Sequence, residues 1–239
     1  MFKNSLPFNF IMERNDLALH LDFANHHPNS TESDIRILCT KVLKYRFNSA
    51  FVNPSHVMLA RKILGKKAKV GTIVSFPLGQ DSKKSKIVSA IDSAKAGADE
   101  LDVSMNVGLF KENKKLCLEE MKKIVKTVKK TKEKIIIKFI IETGYLNSKE
   151  IAEASKMVVL SGADFVKTCS GYGPRGASIN DVKTIRNAIG KFFPVKVAGG
   201  ITNTKQTLAF LKAGANRIGT SHAIEIVDGI VKRGKSTRE

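Results

Sequence analysis

The segment Leu160-Ser161-Gly162-Ala163-Asp164-Phe165-Val166-Lys167-Thr168 joins the end of a helical pattern to a short apolar strand through a glycine turn. The same turn recurs in Lys95-Ala96-Gly97-Ala98-Asp99 and in Lys212-Ala213-Gly214-Ala215-Asn216. Glycine adopts the left-handed cap that ends a helix, and the small alanine keeps the turn close to the sheet. This internal repeat indicates helices that alternate with parallel strands, which is the α/β class.

Outward from this unit, eight β-branched or apolar runs predict strands at Leu17–Asp22, Ser49–Val52, Val70–Phe76, Glu100–Met105, Ile135–Ile141, Phe165–Thr168, Val195–Ala198 and Arg217–Gly219. Helical patterns follow them at Thr31–Tyr45, Pro54–Leu64, Ser82–Ala96, Leu116–Lys130, Ser148–Leu160, Ile179–Ile189, Thr204–Ala213 and His222–Val231. Eight strand–helix pairs predict a single (β/α)8 TIM barrel. A doubly wound open sheet has the same alternation, but it lacks an eighth unit and carries a glycine fingerprint that is absent after the first strand here.

Composition predicts one soluble domain over residues 1–239, with about 1–12 and 232–239 peripheral. The chain has 239 residues, of which 42% are hydrophobic and 26% charged. No apolar run reaches the length of a membrane span, and the first residues do not form a secretory signal. The three cysteines, Cys39, Cys117 and Cys169, show no paired spacing, which favours a reducing, cytoplasmic location over disulfides or a zinc site.

The net charge of +19 is the one unusual feature of the composition. A strongly basic surface attracts nucleic acid, membranes or phosphorylated molecules. The lysine pairs are spread over several elements, at Lys66-Lys67, Lys83-Lys84, Lys122-Lys123 and Lys129-Lys130. Since no aromatic residues alternate with them to stack on bases, we expect neither a nucleic acid nor a membrane partner.

Two lysines lie inside apolar strands, Lys167 in Ala163–Thr168 and Lys196 in Val195–Gly200. Burial of an ammonium lowers its pKa, and a neutral amine attacks carbonyl groups. On neighbouring strands, about 5–6 Å apart, the two charges repel by roughly 3 kcal/mol, or about 2 pKa units, at an effective dielectric of about 20. The alternative is that both are edge-strand lysines that reach water.

Barrel enzymes place their chemistry at the C-terminal ends of the strands. Polar residues or glycines occur there at Asp22, Asn53, Asp102, Glu142-Thr143, Lys167-Thr168, Lys196 with Gly199-Gly200, and Gly219-Thr220-Ser221. Asp102 alternates with apolar neighbours and is expected to face the barrel interior, where it stays ionised or relays protons. The alternative role for Asp102 is a structural salt bridge to Lys138, Lys167 or Lys196. The two strand lysines and Asp102 are therefore the catalytic candidates.

Two glycine-bearing turns predict an anion site. Gly199-Gly200 lets backbone N–H groups approach a ligand, and Gly219-Thr220-Ser221 opens the last predicted helix with free N–H donors. The loops after strands seven and eight are the frequent phosphate site of this fold. Thr168 and Asn53, at two further strand ends, complete the predicted binding set, with Arg175 as the next anion candidate.

Other polar residues are interpreted as structural. Lys138 and Glu142 are four residues apart and would lie on the same face of a strand, which predicts an ion pair between them inside the barrel. His26 and His27 are adjacent and point in different directions, so they form a poor metal pair, and we expect no metal site.

Several segments resemble the motifs of deoxyribose-phosphate aldolases. Asp164–Gly173 resembles F-[IV]-K-T-S-T-G-[FY]-G, and Val195–Ile201 resembles V-K-A-[SA]-G-G-[IV]. Asp99–Asn106, Ile141–Leu146 and Arg217–Ser221 resemble A-x-E-[IL]-D-x-V-x-N, I-E-T-G-x-L and R-[IL]-G-T-S. The resemblance runs from about residue 22 to residue 221, and the two lysine motifs together make it specific.

The resemblance implies a class I aldolase of deoxyribonucleotide catabolism that uses neither metal nor cofactor. It implies reversible cleavage of 2-deoxy-D-ribose 5-phosphate to acetaldehyde and D-glyceraldehyde 3-phosphate. Lys167 is then the Schiff-base lysine, Lys196 the neighbour that lowers its pKa, and Asp102 the proton relay. The resemblance also implies that the phosphate is bound by the backbone of the turns at Gly171, Gly200 and Ser221. A homo-oligomer, dimer or tetramer, is expected.

The first strand end departs from the family's D-H-T-L-L-K-P-x-[AS]-T, because residues 22–31 read D-F-A-N-H-H-P-N-S-T. Phe51 stands where many members have cysteine, and Cys169-Ser170 replaces the commoner Ser-Thr. Three alternatives stay open: a Schiff-base aldolase of another sugar phosphate, a barrel that binds sugar phosphate without turnover, and a basic nucleic-acid-binding barrel.

Overall fold

Eight parallel strands close into a barrel in chain order in the computed structural model, which describes residues 12–230. The strands are β1 (Leu21–Asn25), β2 (Ser49–Val52), β3 (Lys69–Val74), β4 (Glu100–Ser104), β5 (Ile136–Ile140), β6 (Phe165–Lys167), β7 (Val195–Ala198) and β8 (Arg217–Thr220). The barrel closes where β1 pairs with β8, with Asp22 in register with Gly219. This topology confirms the predicted TIM barrel and excludes the open doubly wound sheet.

The helices surround the strands and bury apolar residues against them. They are α1 (Arg14–Leu19), α2 (Glu32–Tyr45), α3 (Val57–Leu64), α4 (Lys83–Lys95), α5 (Val107–Glu112), α6 (Lys114–Thr131), α7 (Ser148–Leu160), α8 (Ile179–Ile189), α9 (Thr204–Lys212) and α10 (Ala223–Asp228), with 3-10 turns at Pro54–His56 and Thr143–Tyr145. Thr31, Asn147 and Ser178 begin α2, α7 and α8 with capping boxes, which satisfy free N–H groups of the first turn. Within residues 12–230, no helix has both the length and the apolar composition needed to cross a membrane.

The predicted first strand begins too early. Leu17 and Ala18 belong to α1, where they are almost fully buried in the core, and the strand starts only at Leu21. A short apolar run fits a buried helix as well as a strand, so periodicity alone assigned the wrong element.

Two further differences concern short helices. The sequence did not predict α5. Its N-cap is Asn106, whose side chain accepts a hydrogen bond from the N–H of Leu109. The predicted last helix, His222–Val231, is longer than α10, and its final residue lies outside the described residues. The predicted peripheral ends of the chain, apart from residue 12, lie outside them as well.

The three repeated glycines all adopt a positive φ, as the helix-to-strand turn requires. The φ angles are 112° at Gly97, 79° at Gly162 and 111° at Gly214. A Cβ atom at Gly97 would lie 2.8 Å from Cγ of Arg61, whose Nε donates to the Gly97 carbonyl. Arg186 makes the equivalent contacts with Gly214. The repeat therefore requires the same backbone conformation at all three glycines, and at Gly97 and Gly214 it also leaves space for an arginine.

Candidate active site

The two strand lysines lie side by side inside the closed barrel. Lys167 on β6 is in register with Lys196 on β7, and both side chains are almost fully buried. Asp102 on β4 joins them, because its Oδ2 lies 2.8 Å from Nζ of each lysine. We call these three residues the lysine–aspartate cluster. The alternative that these are edge-strand lysines is wrong, since the barrel has no edge and both side chains are almost fully buried.

A layer of buried charges lies next to the cluster. Nζ of Lys196 lies 2.8 Å from Oδ2 of Asp22, whose Oδ1 accepts a hydrogen bond from Arg217 at 2.6 Å. Lys138 is ion-paired with Glu100, and its Nζ lies 3.3 Å from Oδ1 of Asp102. Asp102 therefore forms ion pairs with three ammonium groups, as the salt-bridge alternative predicted, and its role as a proton relay stays a prediction.

Two predictions about this layer are wrong. Asp22 is the second residue of β1 and fully buried, so it supports the barrel from within and does not lie at the strand's C-terminal end. Lys138 does not pair with Glu142, because Glu142 follows β5 in a left-handed conformation with φ of 51°. That turn directs Oε2 of Glu142 to the N–H of Ser170, at 2.9 Å.

Burial and the surrounding charges set the protonation of the cluster. Burial raises the pKa of Asp102, but the charges of Lys138, Lys167 and Lys196 outweigh it and hold that pKa well below its usual value. Burial, aided by the charges of Lys138 and Lys167, lowers the pKa of Lys196 from 10.5 to about 8, although Asp102 and Asp22 oppose the shift. The cluster thus contains an ionised carboxylate and a lysine that loses its proton near pH 8.

A cavity of about 350 Å³ opens above the cluster at the C-terminal ends of the strands. Lys167 lies on its wall, whereas Lys196 and Asp102 lie behind that wall. Six residues of the predicted binding set also line it: Gly171, Gly199, Gly200, Gly219, Thr220 and Ser221. We call this space the catalytic cavity.

The glycines let two turns approach the catalytic cavity closely. Gly171, Gly199 and Gly200 have φ angles of 94°, 99° and 78°, which favour glycine. A Cβ atom at Gly176 would lie 2.6 Å from the carbonyl oxygen of Gly199, so the loop after β6 packs directly on the turn after β7. Helix α10 has only six residues, so the predicted anion site would depend on the backbone N–H groups of the turns more than on a helix dipole.

Thr168 and Asn53 do not line the catalytic cavity. The hydroxyl of Thr168 donates to the carbonyl of Ala198 and accepts from its N–H, so this residue joins the ends of β6 and β7. Asn53 donates from Nδ2 to the carbonyl of His27 at 3.2 Å and holds the loop after β1. Both residues support the loops around the site, and their contact with substrate stays a prediction. Arg175 is bidentate on Asp181, which leaves it little capacity for a phosphate.

The sequence analysis missed several residues of the cavity wall, among them His26 and Tyr172. The Tyr172 hydroxyl donates to the carbonyl of His26 at 3.4 Å, and its ring packs edge-on against Phe76 with centroids 5.4 Å apart. The departure of residues 22–31 from the aldolase motif was the available signal for His26. Among residues 12–230 no three His, Cys, Asp or Glu side chains are grouped to hold a metal ion.

The closed barrel, with a buried lysine cluster under an open cavity, defines the chain as an aldolase of the TIM-barrel class. Residues 17–224 match the family described as DeoC/LacD family aldolase, so the chain belongs to that family.

Individual relatives agree with the resemblance that the motifs showed. The chain is 38% identical over 215 residues to the deoxyribose-phosphate aldolase of Thermoanaerobacter sp. (strain X514), covering 89% of this chain and 96% of that one. A solved structure described as "QR15, an Aldolase" is similar with a TM-score of 0.84 at 34% identity, covering 89% of this chain and 95% of the other. The deoxyribose phosphate aldolase from Aeropyrum pernix, described as having a unique tetrameric structure, has a TM-score of 0.84 at 30% identity, with 90% and 91% covered.

Proposed function

We propose that this aldolase reversibly cleaves 2-deoxy-D-ribose 5-phosphate to acetaldehyde and D-glyceraldehyde 3-phosphate through a Schiff base on Lys167. One observation supports Lys167 above all. It is the only member of the lysine–aspartate cluster on the wall of the catalytic cavity. The name shared by the relatives supports the substrate.

Schiff-base formation needs Lys167 as a free amine. Lys196 is the group that receives the proton, because its pKa of about 8 leaves a fraction of it neutral near physiological pH. Both Nζ atoms contact the same oxygen of Asp102, so a proton passes between the lysines over a short path. Lys167 then attacks C1 of the open-chain sugar, and loss of water gives the iminium.

Carbon–carbon cleavage uses the iminium as an electron sink. The C3 hydroxyl loses its proton, the C2–C3 bond breaks, and its electron pair moves toward the iminium nitrogen to form an enamine. D-Glyceraldehyde 3-phosphate leaves, the enamine takes a proton at C2, and hydrolysis releases acetaldehyde and restores Lys167. Asp102 and Lys196 move these protons through water that enters from the catalytic cavity.

In this proposal the phosphate is bound by backbone N–H groups at Gly171, Gly199-Gly200 and Gly219–Ser221. They line the cavity on the side of β6 to β8, next to the nucleophile. Phosphate bound there leaves the sugar's carbonyl end free to reach Lys167.

We further infer that the enzyme needs neither metal nor cofactor, since a lysine iminium supplies the electron sink. We also propose that residues 1–239 form a single domain and that the enzyme is a homo-oligomer. We place it in the cytoplasm with a role in deoxyribonucleotide catabolism, and we expect no nucleic acid partner. The barrel, which closes from Leu21 to Thr220, supports one domain. The tetrameric relative supports an oligomer, which light scattering of the purified chain tests.

Borohydride trapping tests the proposed chemistry. The protein is incubated with 2-deoxy-D-ribose 5-phosphate and borohydride, and the adduct is located by peptide mass spectrometry. We expect it on Lys167, and we expect Lys167→Ala to abolish both trapping and cleavage while it keeps a cooperative unfolding transition. Lys122→Gln, on the exposed face of α6, is the matched control for loss of one positive charge.

An adduct on Lys196 or Lys138 would contradict the assigned nucleophile. Trapping with another sugar phosphate, but none with deoxyribose 5-phosphate, would favour the alternative substrate class.

A further inference from the structure

His26 lies on the wall of the catalytic cavity together with Lys167. Its Nε2 is inaccessible to bulk solvent and has no hydrogen-bond partner in the protein. A buried polar nitrogen without a partner is destabilising, and such atoms in native proteins are usually bonded to something. Because neighbouring atoms cover Nε2 in this structure, a ligand in the cavity can meet it only after a small movement of the ring toward the cavity.

Two aromatic rings fix the imidazole beside the cluster. The His26 ring packs edge-on against Phe76 and Phe51, with centroid distances of 5.4 Å and 6.3 Å. Nζ of Lys167 lies 5.7 Å from the centroid of the Phe76 ring, and Nζ of Lys196 lies 3.5 Å from that of Phe51. The Tyr172 hydroxyl holds the backbone carbonyl of His26 from the opposite loop. The ring is thus oriented by its surroundings and shares its aromatic neighbours with both lysines.

Residue 26 directly follows β1 and lies two residues after Ala24. The aldolase motif has threonine at the position of Ala24 and leucine at that of His26. These positions are two residues apart, so both side chains face the same side, and both line the catalytic cavity. The chain has therefore lost a hydroxyl at residue 24 and gained an imidazole at residue 26 on one wall.

We propose that Nε2 of His26 hydrogen-bonds a secondary hydroxyl of the sugar and thereby selects hydroxylated substrates, an inference that rests on the proposed function. Burial, with the charge of Lys167, lowers the pKa of His26 to about 3, so the ring is neutral at physiological pH. A neutral imidazole has one donor and one acceptor nitrogen. A hydroxyl complements Nε2 in either tautomer, whereas a phosphate suits the glycine turns, which present N–H donors.

Two reactions of the same enzyme separate this role from the Schiff-base chemistry. Acetaldehyde in D2O forms the iminium with Lys167, loses a proton from C2 to give the enamine, and regains a deuteron. That exchange involves no hydroxyl of the substrate. Cleavage of deoxyribose 5-phosphate uses the same lysine but requires the hydroxyl-bearing chain to be held in place.

We expect His26→Leu to slow cleavage by roughly 10–100-fold, the usual loss for a missing hydrogen bond to a substrate hydroxyl. The rate of deuterium exchange into acetaldehyde should stay within about 2-fold of the unmodified enzyme. His26→Gln, which keeps a donor and an acceptor, should recover most of the cleavage rate. His20→Leu is the control for loss of a histidine, since its Nδ1 contacts the carbonyl of Asn216 away from the cavity.

Equal losses of exchange and cleavage in His26→Leu would overturn the proposal, because His26 would then serve the enamine chemistry or the fold. Unchanged rates for both reactions would overturn it as well. The pH dependence of cleavage between pH 5 and pH 8 should keep its shape in His26→Leu, and loss of an acidic limb would show a titrating base instead. Exchange without any cleavage by the unmodified enzyme would refute the proposed substrate itself, which is a distinct result.

Discussion

Lys167 and Lys196 could be identified as candidate catalytic residues from the sequence because each lies among apolar residues. The sequence predicted that both lysines are buried and adjacent, and the register of β6 with β7 confirms the adjacency. It named Lys138, Lys167 and Lys196 only as alternative partners of Asp102, so it did not predict that all three ammonium groups share this carboxylate. The alternation of side chains along a strand predicts which residues face the barrel interior. It does not predict which oppositely charged group each of them contacts across the barrel.

The exchange of a proton between the two lysines leads to a prediction for Lys196→Leu. In the unmodified enzyme, the rate of borohydride-trapped adduct formation should rise as pH passes through about 8, where Lys196 becomes neutral. Removing Lys196 removes this acceptor, so the rise near pH 8 should vanish and the rate at pH 7 should fall by about 10²–10⁴-fold. Activity should recover partly in alkali, where hydroxide removes the proton.

Lys196→Arg is the matched variant, because an arginine keeps the positive charge and does not lose its proton in this range. It should also lack the rise near pH 8. A rise that persists in both variants would contradict the role of Lys196.

At the scale of elements, the turns after β7 and β8 were predictable because glycine and small residues let backbone N–H groups approach a ligand closely.

Ser221→Glu tests whether the turn after β8 binds the phosphate. A carboxylate there should repel the phosphate, so KM for deoxyribose 5-phosphate should rise by about 10-fold or more. Activity toward unphosphorylated deoxyribose should change little, and steady-state kinetics with both sugars measures the difference.

Lys122→Gln serves again as the control, since it lowers the net charge by one unit on the outer surface of the barrel. It should leave both KM values nearly unchanged. An equal loss with both sugars in Ser221→Glu would show that the turn supports the barrel and does not bind the phosphate.

The repeated helix-to-strand turn gives a second prediction for elements. Gly97→Ala requires an L-residue at φ of 112° and places Cβ 2.8 Å from Cγ of Arg61. Gly162→Ala is milder, because φ is 79° and the nearest atom, Cγ1 of Val125, is 3.7 Å away. Urea unfolding should show Gly97→Ala less stable than Gly162→Ala by about 1 kcal/mol or more. Equal losses would mean that Arg61 moves aside freely.

Most boundaries of helices and strands could be predicted from hydrophobic periodicity and capping residues. Helices α1 and α5 could not, and for the same reason. Helix α1 and helix α5 have six residues each, too few for a helical period to be distinguished from a strand or a loop. Thr168 and Asn53 were predicted to bind substrate, and that role stays a prediction. Their strand-end positions were correct, but their hydrogen bonds to the backbone of Ala198 and His27 depend on neighbouring loops that the sequence does not place.

For the whole molecule, the sequence predicted the barrel but not how charge is divided within it. The interior layer nearly balances, with Asp22, Glu100 and Asp102 against Lys138 and the other buried cations. The excess positive charge lies outside, on helices such as α6, whose exposed face carries Lys122, Lys126 and Lys130 among others. The net charge of +19 therefore attracts anionic molecules in a salt-dependent way and does not explain the chemistry.

Acid stability of the barrel depends on its buried ionisable groups in two pH ranges. The pKa of His26 is about 3 in the folded protein and about 6.5 in an unfolded chain. Between these values the unfolded chain binds more protons, so stability falls as pH is lowered from 6.5 toward 3, by up to about 3 kcal/mol at pH 4. Asp22 and Asp102 have lowered pKa values, so their contributions are present above about pH 3.8 and are lost only below it. Urea unfolding of the unmodified enzyme between pH 7 and pH 4 should therefore show a steady loss of stability that His26→Leu largely abolishes. Parallel losses in the two proteins over this range would contradict a neutral, buried His26, independently of any measurement of activity.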